Sequence, residues 1–158
     1  MYPFSFREFL AFHGWERFDW DYLLAHRTRL LHYQKRYLEE GGFPECLGKE
    51  SVDRKRIVTN LFNDIVTRDV VARYKADPAI AGRIAYYMVS NIAREFSLRS
   101  VANATGVAVE TAADYIEYMK ESFLLFELPL FSYGLKHQFK QNKKVYCIDN
   151  GLSQAVSF

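Results

Sequence analysis

Apolar positions along residues 51–75 recur at helical spacing. Ile57, Leu61 and Ile65 repeat every four residues, with Phe62, Val66 and Val70 beside them. That periodicity predicts one long amphipathic helix. Asp77-Pro78 interrupts it, and Pro78 suits the first turn of a following helix. The next helix carries Ile80, Ile84, Tyr87, Met88 and Ile92 and is expected to end near Glu95. Near the start, Ser5 is a helix N-cap with Glu8 at the capping-box position. Phe6, Phe9, Leu10 and His13 then share one face of a short helix that Gly14 ends. Another helix is expected from about Thr28 to Glu40, carrying Leu30, Leu31, Tyr33, Tyr37 and Leu38. It stops at Gly41-Gly42, with Pro44 beyond as a terminator.

From Ser97 the pattern changes. Ser97 caps a short helix, residues 98–104, and Thr105-Gly106 makes a turn. A longer helix follows, residues 109–122, with Ala112, Tyr115, Ile116 and Met119 inward. Small Ala102 and Gly106 are what a tight helix-turn-helix requires, with no bulk at the crossing and a positive φ at the turn. Two strand-like runs, 123–128 and 144–148, flank a basic loop. Helix-turn-helix followed by a ribbon describes a winged helix. The expected fold is mainly α: a helical lid-like bundle at 1–76, a winged helix with a short two-stranded ribbon at 77–148, and the beginning of another element at 149–158.

The 158 residues are 49% apolar and 25% charged, an ordinary globular balance. It excludes a disordered tail, a collagen-like repeat and a disulfide scaffold. A net charge of +2 is too small to imply nucleic-acid binding by bulk charge, so only local clusters could do it. Aromatic residues reach 16%, and Tyr2, Phe4, Phe6, Phe9, Phe12, Trp15, Phe18, Trp20 and Tyr22 all fall in the first 22 residues. That is more than one short helix can bury on one side, so residues 1–22 are expected to present an interface to a second copy or another partner. Cys46 and Cys147 are a hundred residues apart and form no metal spacing, which points to a reduced, cytoplasmic protein. No secretory leader and no membrane-length apolar run is present.

Catalytic motifs are missing. There is no GxxxxGK[ST] phosphate loop, no HExxH and no GxSxG elbow, so no enzyme activity is expected of the chain as it stands and no cofactor or metal is assigned to it. Asp53-Arg54-Lys55 is a nominal D-x-K, a match of little weight in a lysine-rich helix start. Asp64, Arg68, Asp69 and Arg73 stand at i,i+4 spacing and read as two exposed ion pairs of about 0.3–0.5 kcal/mol each. Gly41-Gly42-Phe43-Pro44 reads as a helix cap and turn, or as backbone that a flat ligand approaches closely. The helix in recognition position carries Glu110, Asp114, Glu117 and Glu121 against Lys120, a net charge of −3 that phosphates repel. DNA contact is therefore expected from the wing: Lys136, Lys140, Lys143 and Lys144, with Arg94 and Arg99 on the same edge. Such contacts would hold the DNA backbone without reading its sequence.

Four runs occur in order along the chain: Phe4-Ser5-Phe6-Arg7-Glu8-Phe9, Tyr37-Leu38-Glu39-Glu40-Gly41-Gly42-Phe43-Pro44-Glu45, Arg68-Asp69-Val70-Val71-Ala72-Arg73-Tyr74 and Lys144-Val145-Tyr146-Cys147-Ile148-Asp149-Asn150-Gly151-Leu152. Together they resemble the prokaryotic AAA+-like ATPases that carry a P-loop core and a C-terminal domain of unknown function. The resemblance implies that this chain corresponds to a middle section, without the phosphate-binding core or most of the nuclease-like domain. ATP and magnesium would belong to the parent protein. Gly41, Gly42, Phe43 and Pro44 would lie in the lid, with Pro44 against the nucleotide base. The partner of residues 1–22 would then be the ATPase core or a second copy. The expected function is a regulatory and interaction section of such an ATPase, with contact to DNA. The alternative is a free-standing winged-helix transcription regulator.

Overall fold

The computed structural model describes residues 2–133 and 142–156. The chain is mainly helical with a small antiparallel sheet. Its elements are α1 (Phe6–Phe12), α2 (Trp20–Ala25), α3 (Arg27–Glu40), a 3₁₀ turn (Pro44–Cys46), α4 (Ser51–Asp64), a π-helical segment (Ile65–Ala72), α5 (Pro78–Ser90), β1 (Glu95–Phe96), α6 (Leu98–Thr105), α7 (Val109–Glu121), β2 (Leu125–Leu128), β3 (Lys143–Cys147) and α8 (Asn150–Val156).

The caps form where the sequence places them. Ser5 and Glu8 close a reciprocal capping box on α1, which satisfies two N–H groups that the helix itself cannot. Asp77 accepts from the Ala79 and Ile80 amides, with Pro78 inside the first turn of α5. Ser97 and Ser100 cap α6 reciprocally, and Gly106 ends it in the left-handed region at φ 70°. The long helix expected over 51–75 changes character at Ile65, where it widens into π geometry. The cause is local. Ile65, Val66, Thr67, Val70 and Val71 crowd the helix with β-branched side chains, and Thr67 Oγ1 donates to the Asn63 carbonyl at 2.8 Å, competing for an acceptor of the α ladder. The wider turn breaks the expected i,i+4 series. Arg68 reaches Asp64 only at 4.0 Å, and Arg73 lies instead over the Tyr74 ring.

The ribbon has three strands where two were expected. β1 pairs antiparallel with β3 (Glu95 opposite Lys144, Phe96 opposite Lys143), and β2 pairs with the other edge of β3 (Leu125 opposite Cys147, Leu128 opposite Lys144). The order is β1-β3-β2. With α5, α6 and α7 this gives the succession helix, strand, helix, turn, helix, strand, strand. β1 is two residues long, too short to show alternation in the sequence.

Packing does not follow the boundaries expected at 76/77 and 148/149. One buried apolar cluster runs from Phe43 through Val58, Phe62, Val70, Ile84, Met88, Ile116, Met119 and Val145 to Leu152 and Val156. Thus α4 and α8 share a core with α5, α7 and β3. α8 lays Leu152 into that core while also packing on α3 and α4. Residues before Gly41 build a separate small aromatic core. In it Phe9, Leu10 and Trp15 are buried, and Phe9 meets Tyr37 and His13 edge-on with ring centroids 5.2 and 4.6 Å apart. Burial pushes the His13 imidazole below its usual range, helped by nearby Arg36 and opposed by Glu40.

Candidate functional site

Three of the four recognised runs meet at one buried node. α3 ends at Gly41, whose φ of 78° and ψ of −176° lie in a region that essentially only glycine occupies. The turn brings the Gly42 amide against Asp149, and it donates to Oδ2 at 2.7 Å. The Gly151 amide donates to Oδ1 of the same carboxylate at 2.8 Å. On the other side, the Phe4 amide donates to the Gly42 carbonyl at 2.7 Å, and the Tyr37 hydroxyl donates to the Phe4 carbonyl at 2.7 Å. Residues 4, 37, 42 and 149 are thus tied through one carboxylate and two carbonyls. Asp149 is 5% exposed. Burial pushes its carboxyl above the usual range, while donation from the Gly42, Gly151 and Leu152 amides pulls it back.

Gly41 and Gly42 have no side chains because the chain itself closes on them. A Cβ on Gly41 would stand 2.1 Å from Asp149 Oδ1, and one on Gly42 would stand 2.3 Å from the Phe4 carbonyl oxygen. The close approach that the sequence suggested for a flat ligand is made here by Asp149 and Phe4. Phe43 is buried in the main core, and Pro44 opens the 3₁₀ turn, half-buried. So the Gly-Gly-x-Pro run is a loop after a helix, but three of its four residues face protein.

Beside the node lies an apolar groove of about 270 Å³, walled by Phe43, Ile57, Leu61, Phe123 and Ile148. Tyr2 also lines it and meets the Phe123 ring edge-on at 5.7 Å. Glu45 and Asp69 also line it. The fourth run, Arg68 to Tyr74, borders this groove and fastens α7. The Tyr74 ring stacks on Tyr118 at 4.1 Å, its hydroxyl donates to Glu121, and Ser122 Oγ donates to the Asp69 carbonyl at 2.9 Å.

The six expected DNA contacts divide. Lys136 and Lys140 lie outside the described residues. Arg94, Lys143 and Lys144 come together where β1 pairs with β3, and Arg99 stands in the first turn of α6, all exposed. Lys143 Nζ, however, donates to Glu127 at 2.8 Å, and Lys120 donates to the same carboxylate at 3.1 Å. Burial works to raise the Glu127 carboxyl, but these two ammonium groups outweigh it and hold it below the usual range. Lys143 is therefore already spent on an internal partner. On α7, Glu110, Asp114 and Glu117 are all exposed.

Sequence reasoning missed both carboxylates that organise the site. Asp149 stands 107 residues from its partner Gly42, and the only signal was that each belongs to a recognised run. Glu127 sits in an apolar strand, where a lone acid marks a partnered position. Of the nine N-terminal aromatics, Phe9 and Trp15 are buried inside, while Tyr2, Phe12 and Trp20 remain 64%, 56% and 73% exposed. Among the described residues no group of acids, histidines and cysteines could hold a metal ion, and no helix is long and apolar enough to cross a membrane.

Residues 31–157 match a family described as a domain of unknown function, DUF8612, and the chain belongs to that family. It is 29% identical over 164 residues to an uncharacterised protein of Methanocaldococcus jannaschii, an alignment covering 99% of this chain and 36% of that protein. An uncharacterised protein of Haemophilus influenzae is 24% identical over 159 residues, covering 96% of this chain and 38% of that protein. The chain thus spans little more than a third of the length of these curated relatives. No solved structure matches it.

Proposed function

We propose that this member of the family is the regulatory and interaction section, lid and winged helix, of a larger cytoplasmic AAA+-like ATPase. The observation that carries the proposal is the node. Runs at residues 4, 41–42 and 149–151 resemble one ATPase family in sequence order, and they are the same residues that hydrogen-bond to each other across the fold. Relatives more than twice as long leave room for a nucleotide-hydrolysing core outside the matched section. In this role ATP and magnesium belong to that core. Because Gly42 spends its amide on Asp149, the lid would meet a nucleotide base only through Pro44 and its surroundings. The exposed rings of Tyr2, Phe12 and Trp20 would face the core or a second copy. DNA is a backbone ligand, held by Arg94, Arg99 and Lys144 together with the wing lysines.

The same chain as a free-standing transcription regulator would need a helix that reads bases. The acids on α7 repel phosphate, and that disfavours it. An anisotropy titration of the isolated chain with two unrelated labelled duplexes separates the roles. An ATPase section with a basic wing binds both weakly and equally, with affinity falling steeply as salt rises. Preference for one duplex by roughly a thousandfold or more, the scale of specific recognition, would overturn the proposal.

A further inference from the structure

α3 runs for 14 residues without one fully buried side chain. Its inner face, Leu30, Tyr33, Tyr37 and Glu40, is half-buried, and the helix packs on α1 and α8. The opposite face is mostly polar but carries two leucines. Leu31 and Leu38 stand two turns apart on it, 48% and 49% exposed, and Leu24 at the end of α2 is 51% exposed. A surface helix normally keeps one apolar stripe, towards the core. A second stripe facing away from it is a surface awaiting cover.

The charges around those leucines say what covers them. The helix carries four cationic side chains, Arg27, Arg29, Lys35 and Arg36, and two carboxylates, Glu39 and Glu40, both at its C-terminal end. Arg36 is held by Glu40 at 3.0 Å, and Arg29 lies over the Trp15 and Tyr33 rings. Arg27 and Lys35 remain, one turn before and one turn after Leu31 on the outward face. Lys35 reaches Glu39 only at 3.9 Å, with both side chains mostly exposed. The start of α3 also lacks a side-chain cap and any acid in its first turn, so the positive end of its dipole and Arg27 add.

We propose that the outer face of α3 docks an acidic amphipathic helix of a partner protein, with leucine-type side chains on Leu31 and Leu38 and carboxylates on Arg27 and Lys35. This goes beyond the ATPase-section reading and does not depend on it. The test uses the 158-residue chain and two fluorescein-labelled synthetic helical peptides, identical in leucine spacing, with flanking positions all Glu in one and all Lys in the other. Anisotropy should show saturable binding of the Glu peptide at least tenfold tighter than the Lys peptide. The Arg27→Glu/Lys35→Glu variant should reverse that preference, and Arg27→Gln/Lys35→Gln should abolish it. Leu31→Ala/Leu38→Ala should weaken binding at least tenfold while leaving circular dichroism and melting unchanged, since both side chains are half exposed. Three results would overturn the proposal: no saturable binding of the Glu peptide, equal affinity for both peptides, or a dimer in sedimentation that the leucine variant dissolves.

Discussion

Replacing Gly41 by alanine probes the node most sharply. Two costs add. At φ 78° and ψ −176° a side chain costs about 1–2 kcal/mol in backbone strain alone. The new Cβ would also stand 2.1 Å from Asp149 Oδ1 and 2.9 Å from its Cγ, so the carboxylate must move. It then gives up hydrogen bonds from Gly42 and Gly151, each worth about 1.5–3 kcal/mol with a charged acceptor. The sum is at least about 4 kcal/mol, a large part of the ~5–15 kcal/mol that holds a domain folded. At about 2–4 °C per kcal/mol for a chain of this size, the melting temperature should fall by roughly 8–16 °C. The informative assay is a double-mutant cycle in thermal or urea unfolding. In an Asp149→Ala background the colliding atoms are absent, so Gly41→Ala should add only the backbone cost. A coupling energy of at least about 2 kcal/mol is expected. Additive effects of the two substitutions would show that Gly41 is not glycine on account of Asp149, and the node as described would be wrong.

Gly82 lies within α5 with open space where a Cβ would go, so Gly82→Ala should stabilise the chain by about 0.5–1 kcal/mol in the same unfolding assay. Glu127→Gln should cost about 1 kcal/mol after allowance for solvent around its lysine partners. Because the native carboxyl lies below its ordinary value of 4.5, the wild-type advantage should be full above that pH and shrink as pH falls through the native value; a difference that grows on acidification would contradict the assignment. Glu127→Gln should also release Lys143 and raise affinity for duplex DNA. Lys144→Ala should make the plot of log K against log salt shallower by about 0.9, and an unchanged slope would remove Lys144 from the contact.

Much of the secondary structure was legible because local physics decides it. Ser5, Asp77 and Ser97 cap as their side chains dictate, and Gly41 and Gly106 end helices where a positive φ is needed. α2 went unseen because Trp20 to Ala25 is too short to display a period, and its Asp19 cap was not read as one. β1 went unseen for the same reason of length. The shift to π geometry at Ile65 follows from crowding and a side-chain back-bond, which an apolar repeat of four does not register. The merging of α4 and α8 into one core with α5, α7 and β3 was hidden by sequence distance. Gly41-Gly42 showed in the sequence that something approaches closely, but not what. Glycine states that space is needed and is silent on whether a ligand or the chain itself fills it. Asp149, the filler here, carried no local mark as a partner of residues so far away.

The claim that this chain is a section of an ATPase rests on the longer proteins it resembles. Magnesium-dependent ATP turnover by the intact Methanocaldococcus jannaschii relative, measured beside the isolated 158-residue chain, tests it directly. The account predicts turnover by the longer protein and none above a buffer control by the chain. A longer protein that neither binds nor hydrolyses ATP, or an isolated chain that hydrolyses it unaided, would contradict the account.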